Sequence, residues 1–229
     1  MIMSKNLFII GAGTDVGKTY VTGLILKKLR QSGVSAAYFK AAMSGNPRGK
    51  HGDLIPADAL AVKQVSGISQ PLEEMCPYVY EKAVAPHLAS RLEGNPVQMD
   101  RVLDHLKSIR KAYEYVTIEG SGGILCPIRF DQEQIWLPDI IRASQSNCLL
   151  IADAGLGTIN HVGLTAFYMQ KTGLTLKGII FNHFQPGDIM QEDNVKMCEY
   201  LTGVKRIACV KDADTDLDIS AQALQSLYE

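Results

Sequence analysis

The chain has 229 residues, 46% hydrophobic and 21% charged, which suits a folded protein of one domain that can bury a full core. Its net charge of −1 excludes a general attraction to nucleic acid or an anionic membrane, but leaves room for a small basic pocket. The five cysteines (Cys76, Cys126, Cys148, Cys198 and Cys209) contain no C-x-x-C pair, which argues against structural zinc and fits a reducing compartment.

Residues 6–10 read as a buried strand, and the glycine-rich turn at 11–16 follows at once. That turn comes too early for a signal peptide or membrane span, so a cytoplasmic location is expected. A helix is predicted from 17 to about 31, with Val21, Leu24, Ile25 and Leu29 at helical spacing and Ser32-Gly33 ending it. Residues 35–40 form the next strand, followed by a glycine-rich loop with Pro47 and Pro56 and a helix near 57–65. Further on, the pattern predicts a helix at 101–112, a strand at 115–119 and a turn at 120–123. A helix at 137–144, a strand at 148–152, a helix at 159–172 and a strand at 176–181 come next. A helix near 190–201, a strand near 206–210 and a terminal helix from Ile219 complete the alternation.

Strands with little internal alternation are buried on both faces, so the fold class is α/β: a single domain over 1–229 with a mostly parallel central sheet flanked by helices. Ligands of such sheets sit beyond the carboxyl ends of the strands. The segments 11–19, 40–44, 119–123, 153–160 and Asn182 all follow predicted strands and are expected to converge.

Gly11-Ala12-Gly13-Thr14-Asp15-Val16-Gly17-Lys18-Thr19 lies between a strand and a helix, as a P-loop requires. Its backbone N–H groups and the helix N-terminus suit phosphate oxygens, Lys18 the outer phosphates, and the Thr19 hydroxyl a Mg²⁺ ion. Strict spacing wants glycine at position 12, where Ala12 stands. Gly13 occupies the place where partitioning-type ATPases carry an extra lysine, which counts against dimer switching driven by ATP.

Three further stations make the pattern specific. Phe39-Lys40-Ala41-Ala42-Met43-Ser44-Gly45, Ile118-Glu119-Gly120-Ser121-Gly122-Gly123, and the pair Gly155-Leu156-Gly157-Thr158-Ile159-Asn160-His161 and Ile180-Phe181-Asn182 follow the P-loop in order. Together with Thr14-Asp15 before Val16-Gly17-Lys18-Thr19, they resemble the dethiobiotin synthetases to about residue 185. The resemblance implies an ATP-dependent cyclo-ligase that joins CO₂ to 7,8-diaminononanoate. A substrate carbamate would attack the γ-phosphate of ATP, and the second amine would close a cyclic urea with loss of phosphate.

On that resemblance Lys18, Lys40 and Thr14 are the catalytic set, and Asp15, Val16, Gly17, Lys18, Thr19, Tyr20, Asp58, Glu119, Gly120, Ser121, Gly122 and Asn182 hold the nucleotide. Ser44, Lys40, Gly157 and Asn160 would bind the substrate, the last two across a homodimer interface. Mg²⁺ would be held by Thr19, Glu119 and Asp58, with Asp53 a rival for the last place. Each role has a plainer counterpart: a solvated strand end for Lys40, a turn for Ser44, a salt bridge for Glu119, and helix caps for Asp58 and Asn160. After Asn182 the chain departs from the family: His183 replaces an Asp, Ala208-Cys209-Val210-Lys211 lacks a proline, and Ala41 replaces another. Selectivity for ATP over CTP or GTP therefore stays open. The acidic run 212–218 reads as a solvated loop. The alternative reading is a regulatory P-loop ATPase whose nucleotide state controls dimerisation or partner binding.

Overall fold

The computed structural model describes residues 4–228. Six strands form one parallel sheet in the order β2-β3-β1-β6-β7-β8, namely Ala36–Lys40, Tyr115–Gly123, Lys5–Gly11, Asn147–Asp153, Leu176–Asn182 and Arg206–Cys209. Alternation along β1 sends Phe8 and Ile10 into one apolar cluster and Leu7 and Ile9 into another, so the sheet is covered on both faces. Helix α1 (Lys18–Gln31) lays Val21, Leu24, Ile25 and Leu29 on the Leu7 and Ile9 side. Helices α4 (Met99–Ala112) and α5 (Leu137–Ser144) close the opposite face through Val102, Leu106, Ile140 and Ile141.

Three regions differ from the pattern read in the sequence. The expected turn at 120–123 is instead the end of β3, where Gly123 pairs with Gly11 and a register shift accommodates the glycines. The long stretch before the 101–112 helix carries α3 (Pro86–Leu92), and the segment after β3 forms a hairpin of β4 (Pro127–Phe130) and β5 (Gln134–Trp136). The remaining α-helices among the described residues are α2 (Ala57–Ser66), α6 (Thr158–Lys171), α7 (Ile189–Thr202) and α8 (Ala221–Gln225), with a short 3-10 turn at Leu72–Glu74. No described helix is long and apolar enough to cross a membrane. The acidic run is tied to α1, with Lys27 donating to Thr215 O, Lys28 to Asp216 and Tyr20 OH to Asp214 O.

The order places β1 between β3 and β6, so the loop leaving β1 opens at the point where successive strands turn to opposite sides. That is where doubly wound sheets bind ligands.

Candidate active site

The loop after β1 turns on two left-handed residues, Asp15 (φ 59°) and Gly17 (φ 82°), a conformation that aims successive N–H groups inward. Gly17 is required twice over: a Cβ there would also meet Asn182 Nδ2 at 2.1 Å. Asn182 itself is buried and donates to Val16 O at 3.2 Å, so it braces the loop from beneath. Lys18 turns back over the loop and donates to Gly13 O at 3.0 Å. Burial, then the neighbouring Lys40 charge, holds its ammonium below the usual lysine range.

Lys40 ends β2 and sits in register with Glu119 on β3. Its Nζ donates to Glu119 Oε1 at 2.8 Å and to Asp58 Oδ2 at 2.6 Å. Glu119 Oε1 also accepts the Thr19 hydroxyl at 3.0 Å, and its Oε2 accepts Tyr38 OH at 3.2 Å. Burial by itself would lower Lys40, but Glu119 and Asp58 outweigh it and raise its pKa, so the ammonium stays charged. The solvated strand end is thus replaced by a buried cation between two carboxylates. Burial, then Glu119, pushes the Tyr38 phenol well above its ordinary range and keeps it a donor.

These groups open into one cleft of about 970 Å³. Of the residues expected there, Thr14, Asp15, Gly17, Lys18, Thr19, Tyr20, Lys40, Ser44, Asp58, Glu119, Ser121 and Gly122 line it. Asp58 is in the cleft on α2, whereas Asp53 lies outside it in the exposed loop before that helix. Asn182 supports the loop from below through Val16 O, and Gly120 is buried within β3 against Phe8 and Leu137. The sequence reading missed one wall, Ala83-Val84-Ala85-Pro86, which carries no periodicity or chemistry to mark it.

Strong oxygen donors on Thr19, Glu119 and Asp58 converge beside the phosphate loop, a set suited to Mg²⁺ shared with phosphate oxygens. Among the described residues, no group of three or more His, Cys, Asp or Glu side chains is placed to hold a metal ion by itself.

A family model described as an AAA domain matches residues 5–216. The chain is 43% identical over 227 residues to the ATP-dependent dethiobiotin synthetase BioD of Clostridium perfringens strain 13, covering 99% of this chain and 98% of that protein. The chain belongs to the dethiobiotin synthetase family. The BioD protein of Brachyspira hyodysenteriae matches at 43% over 228 residues, 99% of this chain and all of the relative. Among solved structures, a chain of the MinC:MinD cell division complex of Aquifex aeolicus superposes with a TM-score of 0.57 at 13% identity, over 91% of this chain and 82% of that one. A ParA family ATPase from Chlorobium tepidum gives 0.55 at 12%, over 99% and 93%. At such identities these two establish the fold alone.

Gly157 and Asn160 do not join the lysine cleft. They open a second groove of about 860 Å³ at the start of α6, with Leu164, Phe167 and Leu201 along it. Gly157 caps α6 with left-handed backbone (φ 88°), and Thr158 Oγ1 is buried with no hydrogen-bond partner among the described residues.

Proposed function

We propose that the cleft carries out the full cyclo-ligase reaction of the family, using ATP, CO₂ and 7,8-diaminononanoate. The observation that carries this reading is the gathering of Lys18, Lys40, Thr19, Glu119 and Asp58 around one opening. An amine nitrogen of the diamine bonds to CO₂ and gives up a proton, leaving an anionic carbamate. A carbamate oxygen attacks the γ-phosphorus and ADP leaves. The second amine then attacks the carbonyl of the mixed anhydride and gives up a proton as the ring closes and phosphate departs. Every stage concentrates negative charge, which fixed cations in a partly dry site stabilise better than mobile water. Lys18 holds the outer phosphates, exchanging Gly13 O for a phosphate oxygen. Lys40, held charged at the mouth of β2, faces the carbamate and the phosphoryl group in transit. Ser44 and Thr14 orient the reacting ends by hydrogen bonding.

Thr19, Glu119 and Asp58 would hold Mg²⁺ in this reading, and the bound ion would supply positive charge against the nucleotide phosphates. The distal carboxylate of the substrate fits the start of α6, where the helix dipole, Gly157 and Asn160 suit an anion. Because that groove is separate from the lysine cleft, the reading includes a homodimer in which a second copy brings its α6 to the first copy's lysines. Exposed Leu156, Leu164, Phe167, Tyr200 and Leu201 on the α6 and α7 side support such a contact. The chain works as one catalytic domain, and five free cysteines fit a cytoplasmic setting.

Phosphate release is the test. Protein, bicarbonate and Mg-ATP are incubated with and without the diamine, and cyclic urea is quantified. Release should depend on the diamine and match urea formed; ATP hydrolysis independent of the diamine, with no urea, would sink the reading in favour of a regulatory ATPase.

A further inference from the structure

Tyr38 stands two residues before Lys40 on β2, so strand alternation puts both side chains on the same face of the sheet. Thr117 and Glu119 face them in register on β3. The Tyr38 side chain runs alongside Glu119, and its hydroxyl is the protein donor to Oε2, while Thr19 and Lys40 both take Oε1. Glu119 is 1% exposed and Tyr38 is 0%, so bulk water does not compete for that oxygen.

The backbone of Tyr38 is fixed as firmly. β2 is an edge strand, and edges leave N–H and C=O groups open. Here the side chain of Gln70 fills the gap like a strand fragment: its Oε1 accepts Tyr38 N at 2.8 Å and its Nε2 donates to Tyr38 O at 3.1 Å. Gln70 is buried, and Lys63 Nζ in turn donates to Gln70 O at 2.6 Å. A buried amide matched to one residue on both sides is a costly device for packing alone.

We propose that Tyr38, clamped by Gln70, is a positioning residue that sets the rotation of the Glu119 carboxylate and so presents Oε1 to Thr19, Lys40 and the metal. The terminal torsion of a glutamate is broad, and a carboxylate held at one oxygen only can swing. The hydroxyl on Oε2 removes that freedom. This rests on the reading of Glu119 as a Mg²⁺ ligand.

Tyr38→Phe removes the hydroxyl and keeps the ring, so the fold is retained. Mn²⁺ is titrated into wild type, Tyr38→Phe, Glu119→Gln and the double variant, each carrying a non-hydrolysable ATP analogue, and free Mn²⁺ is read by electron paramagnetic resonance. Loss of a group that orients a ligand typically costs about 10-fold or more in metal affinity. Tyr38→Phe should weaken Mn²⁺ binding by that factor, leave KM for the diamine unchanged, and add nothing in the Glu119→Gln background. Wild-type Mn²⁺ binding by Tyr38→Phe, with Glu119→Gln weakened, overturns the inference and leaves the Glu119 reading intact. Unaltered binding in both single variants overturns both. A Tyr38→Phe protein that melts early yet binds Mn²⁺ normally reduces Tyr38 to packing, which also overturns it.

Discussion

Lys40 Nζ lies 2.8 Å from Glu119 Oε1, although 79 residues separate them in the chain. The Glu119 side chain is fully buried, so deleting that ammonium leaves a buried carboxylate without its paired cation. Lys40→Met should therefore act twice. Turnover should fall about 10²–10³-fold, the usual cost of losing a group aimed at developing charge. Stability of the unliganded protein should fall by about 3–5 kcal/mol, as when one partner of a buried pair is deleted. Single-turnover kinetics and urea unfolding read the two effects separately; turnover within a few-fold of wild type would remove Lys40 from the chemistry.

Asp58 bonds to Lys40 inside the cleft, while Asp53 stays outside it. Asp58→Asn should raise the Mg²⁺ concentration needed for half-maximal rate by at least about 10-fold, and Asp53→Asn should leave it unchanged. The reverse pattern would hand the ligand role to Asp53.

How far the sequence carries the fold can be judged at particular residues. The strand-loop-helix around Lys18 is local, and its hydrophobic spacing and glycines mark both ends. The meeting of Lys40, Glu119 and Asp58 is set by strand register and by the path of a long loop, which no periodicity encodes; only the family resemblance pointed there. Gly120-Ser121-Gly122-Gly123 reads as a turn because its composition is that of one, yet pairing with β1 extends β3 through it. α3 and the β4–β5 hairpin are short and lack a repeating apolar face. Tyr38 looks like an ordinary strand aromatic, and nothing local reveals that its hydroxyl ends on a carboxylate.

A methyl group on Gly17 would meet Asn182 Nδ2 at 2.1 Å and push it off the hydrogen bond it gives to Val16 O. Gly17→Ala would also force an L-residue into left-handed backbone at a cost of about 1–2 kcal/mol. The expected outcome is loss of nucleotide binding by at least about 100-fold in a protein that remains folded, followed by fluorescence of a labelled ATP. Retained binding would show that the loop tolerates another path.

Asn182 gives one of its two amide N–H donors to Val16 O and is only 3% exposed, which limits what it can offer to a base edge. Discrimination between bases should accordingly be modest: at limiting concentration, ATP should be favoured over CTP and GTP by less than about 10-fold, equivalent to about 1.4 kcal/mol. Competition among the four nucleoside triphosphates measures this directly. A preference of several hundred-fold would require a base contact elsewhere, on the side of His183 and the loop at 210–218.

Cys148 is buried in β6, and burial pushes its thiol from 9.0 to about 12. Between those values the folded protein keeps a proton that the unfolded chain releases, so raising the pH favours unfolding. The contribution is fully present below pH 9 and is lost as pH climbs toward 12. Each such proton changes stability by at most about 1.4 kcal/mol per pH unit. Cys76, pushed to about 12 mainly by burial, adds in the same direction. Cys148→Ala should therefore show a shallower fall in stability between pH 9 and 11 than wild type, by up to that amount per unit, with little change in slope between pH 7 and 8. Urea midpoints across the range provide the comparison. Parallel slopes would mean that the thiol ionises in the folded protein as readily as in the unfolded one, and hence that β6 opens to solvent there.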